Sequence, residues 1–141
     1  MAKQSDLVAL SRSIERLAMW VRRLAPTQLS TSTVTTLDTL RIEGPLRICE
    51  LAEREAVSQP GMTTLVNRLE SAGHAERVAD PTDGRATLVR ITSAGRAVLA
   101  DRHAARSGAV RAELRHLDAA DRAALVAAMP AVERLIRHTA K

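Results

Sequence analysis

The sequence contains no phenylalanine and no tyrosine, and Trp20 is its one aromatic side chain. Stacked rings therefore cannot build the core. Leu, Val, Ile, Ala and Met must fill it, and that composition suits helices better than sheets. Cysteine is almost as scarce. Cys49 stands alone, which excludes an intramolecular disulfide framework and a cysteine zinc cluster. His74, His103, His116 and His138 are not paired at ligand spacing, so neither a metal nor another cofactor is expected. No apolar run approaches the roughly 18 residues of a membrane helix. The opening MAKQSD lacks the apolar centre of a secretory signal, so the expected compartment is a reducing cytoplasm. No nucleophile elbow, phosphate-binding glycine loop or metal motif occurs, so an enzyme is not expected.

Lysine is also rare. Lys3 and Lys141 are the only two, so the excess of 21 basic over 16 acidic residues, a formal charge of +5, rests on arginine. Such an excess draws a chain toward polyanions, although composition alone does not say which. Apolar residues are 45% of the 141, enough for one compact domain or a small domain with helical extensions.

Periodicity organises the chain. Leu7, Leu10, Ile14, Leu17, Ala18, Val21 and Leu24 form one stripe of a long helix over 5–25, ended by Pro26. Residues 30–43 are rich in β-branched side chains. Val34, Leu37 and Leu40 nevertheless keep helical spacing behind Ser30, a plausible N-cap. Residues 47–55 read as a short helix with Ile48, Leu51 and Ala52 inward, followed by a turn at Ala56-Val57. Ser58 then caps a second helix whose first turn holds Pro60. HAERVA and ATLVRI flank the turn Asp80-Pro81-Thr82-Asp83-Gly84, which has hairpin chemistry. Thr92 or Ser93 caps a long helix from Ala94, and Asp118 with Asp121 starts another, which Pro130 should kink. The expected fold class is mainly α with a small β-hairpin wing (α+β). It is a winged helix-turn-helix with N- and C-terminal dimerisation helices. The expected divisions are an N-terminal dimerisation helix at 1–28, the winged DNA-binding domain at 29–93 and C-terminal dimerisation helices at 94–141.

At about 100° per residue, Met62, Leu65, Val66 and Leu69 form the buried face of the second helix. Pro60, Thr64, Asn67 and Ser71 lie opposite, Thr63 and Arg68 flank them, and Gln59 is at the exposed start. Short polar side chains allow close approach to a major groove, and amides, hydroxyls and guanidinium match base edges. Ser58, Gln59, Pro60, Thr63, Thr64, Asn67 and Arg68 are therefore the candidate contacts of this helix. Arg85 at the hairpin tip, with Arg77 and Arg90 on the strands, could enter or flank a minor groove. Asp83 is expected to fix Arg77 or Arg85 by a charge-assisted bond. A protein-docking winged module without DNA binding is the competing class. The polar outer face and Arg85 argue for DNA.

The segments LAEREAVSQPGMTTLVNRLESAGHAER, DPTDGRATLVRITSAG and AAMPAVERL resemble the MarR family of bacterial transcriptional regulators, and with the flanking helices the resemblance covers essentially the whole chain. Its most specific part is the wing pattern of Asp80, Pro81, Asp83, Arg85, Thr92 and Gly95. The resemblance implies a homodimer on a pseudo-palindromic double-stranded operator, acting as a repressor. The helix from Ser58 would enter the major groove and Arg85 the minor groove. Two positions depart from the pattern. Ala56 stands where glycine is common, which is tolerable if that position stays at negative φ. The outer face of the second helix is poor in charge. Many members release DNA on binding a small amphipathic or aromatic effector. Arg16, Met19, Trp20 and His103 are the corresponding side chains here, although without Tyr or Phe no aromatic-lined pocket is available. Trp20 reads first as core or dimer packing and His103 as an exposed helix residue. Peroxide-sensing relatives place a cysteine near the N-terminal helix, supported by tyrosines. Cys49 lies in the first helix of the motif, so a buried small residue is the better reading than a redox switch.

Overall fold

The computed structural model describes residues 3–26 and 28–139. In chain order the elements are α1 (Gln4–Leu24), α2 (Thr31–Glu43), α3 (Ile48–Arg54), α4 (Gln59–Ser71), β1 (Ala75–Ala79), β2 (Thr87–Ile91), α5 (Ser93–Leu114) and α6 (Ala119–Thr139). They fall into two compact units. One holds Pro26–Ala105, and the other holds the described residues of Met1–Ala25 and Arg106–Lys141.

The Pro26–Ala105 unit contains the core. The ambiguous β-branched segment folds as α2, because Ser30 Oγ accepts the Thr33 N–H at 3.2 Å and Val34, Leu37 and Leu40 share one buried face. Burial of a phased face outweighs β-propensity here. Leu37, Leu40, Leu51, Met62, Val66 and Val89 are fully buried, with Leu69, Ala75, Ile91 and Leu99 beside them. β1 and β2 pair antiparallel with Ala75 opposite Ile91 and Ala79 opposite Thr87. Leu46 adds a further bridge on the free side of β2, exchanging hydrogen bonds with Val89 at 3.0 and 2.8 Å.

α3 and α4 end in the same motif. At α4 the His74 N–H reaches the Leu69 carbonyl and the Gly73 N–H reaches that of Glu70, both at 2.8 Å. At α3 the Val57 N–H reaches Ala52 at 3.0 Å and the Ala56 N–H reaches Glu53 at 3.2 Å. This double closure needs a left-handed residue at its centre. Gly73 meets the need at φ 73°, and Ala56 is forced to φ 52°. The condition of a negative φ at Ala56 is thus not met.

The Thr-x-x-Gly pattern has a packing cause. Thr92 Oγ1 accepts the Gly95 N–H at 3.1 Å and donates to the Gly73 carbonyl at 2.6 Å. A Cβ on Gly95 would lie 2.1 Å from the His74 carbonyl oxygen. Thr92, rather than Ser93, therefore caps α5.

In the second unit, α1 has no buried residue. α6 starts from Asp118, whose Oδ1 accepts the Asp121 N–H at 2.8 Å, and it runs on through Pro130. The apolar stripes of both helices, Leu7 to Trp20 and Leu125 to Ile136, are exposed. Among the described residues no helix is long and apolar enough to cross a membrane, and no group of three His, Cys, Asp or Glu side chains could hold a metal.

Candidate nucleic-acid interface

The phase of α4 is the one the sequence implies. Met62, Val66 and Leu69 are buried and Leu65 is half-buried, so Pro60, Thr64, Asn67, Arg68 and Ser71 face outward. Ser58 Oγ accepts the Gly61 N–H at 3.2 Å and fixes the start of the helix. Gln59 is exposed there, and Thr63 lies half-buried on the flank. The hydroxyls of Thr63 and Thr64 donate back to the carbonyls of Gln59 and Pro60 at 2.9 and 3.1 Å. Their protons are used within the helix, which leaves lone pairs outward.

The wing is held from below by a residue the sequence reading missed. Arg47, just before α3, donates from Nη2 to Asp80 Oδ2 at 2.8 Å and lies 3.7 Å from Asp83 Oδ2. Asp80 is 7% exposed and also accepts the N–H and hydroxyl of Thr82 at 2.9 and 2.7 Å. The Arg47 guanidinium first, then the Thr82 hydroxyl and amide, hold the Asp80 carboxyl far below the usual carboxylate range. The same pairing raises the Arg47 pKa. The clue available in advance was an arginine just before a helix and a turn carboxylate, Asp80, with no assigned partner. The separation of 33 residues hid their meeting.

Asp83 is therefore not the partner of the Arg77 or Arg85 guanidinium. Its Oδ1 accepts the Arg85 backbone N–H at 3.2 Å, and its charge faces Arg47. This bond shapes the loop around Arg85, whose exposed side chain has no hydrogen-bond partner among the described residues. Arg90 pairs with Glu76 directly across the strands, Nε to Oε1 at 2.7 Å. Arg77 points away from the tip to α4, where it bonds Glu70 and Asn67. Of the three wing arginines, only Arg85 is uncommitted.

Cys49 is exposed, which corrects the expectation of burial. The buried arc of α3 runs through Leu51 and Ala52, with Ile48 packed against the core. Helical phase therefore carries Cys49 off that face, whatever the general preference of thiols.

The four effector candidates line two concavities. Arg16, Met19 and Trp20, with Ser13, Leu17 and Arg23, border about 580 Å³ along α1. Trp20 is 37% exposed, not part of a core within the chain. His103 is exposed and borders about 300 Å³ with Asp38, Arg41 and Arg96.

A MarR family model matches residues 27–86. An HTH-type transcriptional regulator of Mycobacterium leprae, ML2140, is 37% identical over 87 residues, which span 61% of this chain and 61% of that protein. A solved protein of Pseudomonas aeruginosa PA01, assigned as a transcriptional regulator, is 31% identical with a TM-score of 0.74, covering 96% of this chain and 98% of its own. Transcriptional regulator Tm0710 of Thermotoga maritima shares the fold at a TM-score of 0.80 and 24% identity, over 94% of this chain and 98% of its own. With its helix-turn-helix, hairpin wing and flanking helices, and with these matches in sequence and fold, the chain belongs to the MarR family of transcriptional regulators.

Proposed function

We propose that the chain acts by binding a pseudo-palindromic stretch of double-stranded DNA as a homodimer, one winged unit on each half-site, and that this occupancy represses the gene it controls. The observation that carries the reading is the outer face of α4. Thr64, Asn67 and Arg68 stand exposed and polar, with the small ring of Pro60 beside them, over a fully phased core. The uncommitted Arg85 at the end of the wing adds a second contact. In this reading 29–93 is the DNA-binding region, and 1–28 and 94–141 are the dimerisation helices. The exposed apolar faces of α1 and α6 support the dimer, since stripes of that length call for a covering partner. Two-fold symmetry would space the reading helices about 34–36 Å apart. The concavity along α1 has the volume of a small-molecule site. An amphipathic or aromatic effector lying against Trp20, its acidic group on Arg16 or Arg23, would release the DNA.

The test is selection of bound sites from random duplexes at about 150 mM salt, where purely electrostatic binding is already weakened. A pseudo-palindrome is expected to be enriched, and Arg85→Ala should flatten any A·T preference in its flanks. Binding that stays salt-sensitive and selects no sequence would sink the reading in favour of a protein-docking module.

A further inference from the structure

Arg77 reaches from β1 to two side chains of α4. Its Nη1 pairs with the Glu70 carboxylate, which also accepts the Arg77 backbone N–H at 3.1 Å. Its Nη2 donates to Asn67 Oδ1 at 2.8 Å. Glu70 and Arg77 are both about one-third exposed, so their pair is partly shielded and fixes the guanidinium. Asn67 is exposed at the centre of the outer face.

A guanidinium carries only donors. The Asn67 amide can therefore meet it in one orientation, with the oxygen toward Arg77 and the NH2 group away. Asparagine ordinarily reads adenine with both halves of its amide, accepting from N6 and donating to N7. Here the accepting half is already engaged. The cation beside it also disfavours the approach of a second N–H donor. What remains for a base edge is the NH2.

Taking α4 as the DNA-reading helix, as above, we propose that Asn67 reads the major groove as a hydrogen-bond donor, with Arg77 as its positioning residue. The base pair opposite Asn67 is then chosen for its acceptor edge: guanine N7 and O6 or thymine O4 suit the NH2 best, whereas adenine offers N7 beside an N6 donor that the engaged oxygen does not take up. A wing strand thus sets the meaning of a residue on the reading helix.

The test compares site selection by the full-length protein with that of Asn67→Ala, Asn67→Asp and Arg77→Met. Asn67→Ala identifies the base pair whose preference relaxes. At that pair the unaltered protein is expected to favour guanine or thymine over adenine by about tenfold. Asn67→Asp keeps a partner for Arg77 but replaces the NH2 with an acceptor, so preference should move to cytosine or adenine, whose exocyclic amines donate. Arg77→Met frees the amide to turn and should admit adenine. Circular dichroism reports whether Arg77→Met folds, and if it does not, the Asn67→Asp exchange decides. Adenine preference in the unaltered protein would overturn the donor role while leaving α4 as the reading helix. So would an unmoved preference in Asn67→Asp, or selection indifferent to Asn67→Ala. Selection of no sequence by any form would instead overturn the DNA-reading role of α4, and this inference with it.

Discussion

Ala56 shows what one residue can hide. Its turn was legible from spacing, since the apolar phase of α3 stops and Ser58 restarts a helix. Its backbone was not, because alanine gives no sign of a left-handed conformation. The sign lies in the hydrogen bonds that end the helix, and these match those at Gly73. An L-residue at φ 52° costs about 1–2 kcal/mol, and glycine returns part of any gain through its looser unfolded chain. Ala56→Gly should therefore stabilise the protein by about 0.5–1 kcal/mol. The check is a higher urea midpoint at unchanged m-value. Gly95 has the opposite character. The His74 carbonyl that a Cβ would strike is backbone and cannot swing aside, so Gly95→Ala should cost about 1–3 kcal/mol, read in the same titration. The motif made Gly95 noticeable, but the reason became visible only once α5 was seen to start against the loop after α4.

The helices were legible as elements because each has a phased apolar face, and even β-branched α2 obeyed that phase. The anchoring of the wing was not, since Arg47, Asp80 and Asp83 carry no local pattern that joins them. Asp80 gives this anchor a pH signature. Its folded-state pKa is depressed, so its stabilising effect is complete above the unfolded value of about 3.9 and is lost as pH falls toward the folded one. Glu55 has the opposite sign. Burial raises its pKa, against the hydrogen bond that Thr36 Oγ1 donates to its Oε2 at 2.7 Å, so acidification through that raised value adds stability until the unfolded pKa is passed. Asp80→Asn should therefore flatten the fall in stability between about pH 5 and pH 2, measured as urea midpoints across that range. An unchanged acid slope would mean that the Arg47–Asp80 pair does not couple to folding. The same variant should loosen the loop that presents Arg85, and so weaken DNA binding at neutral pH while leaving the far-ultraviolet circular dichroism intact.

For the whole molecule, the sequence showed more apolar surface than one small domain could cover. The structure leaves that surface where the stripes predicted, on α1 and α6. In the proposed dimer a second subunit covers it, and a single chain carries no direct mark of that. Placing a charge in each stripe, Leu17→Glu with Val132→Glu, should reduce the sedimenting species from two chains to one. It should also leave the Pro26–Ala105 unit folded, because neither residue belongs to its core. A dimer that survives both charges would place the interface elsewhere. The scarcity of aromatic side chains has an optical consequence. With no tyrosine and no second tryptophan, all ultraviolet fluorescence originates at Trp20, on α1, outside the winged unit. Its emission reports first on whatever covers α1, and on the α2–β2 core only in so far as the two units melt together. Emission should shift to the blue as subunits associate on dilution reversal, and red again on unfolding. Comparing its melting curve with that of circular dichroism would then reveal whether the two units come apart in one cooperative step or in two.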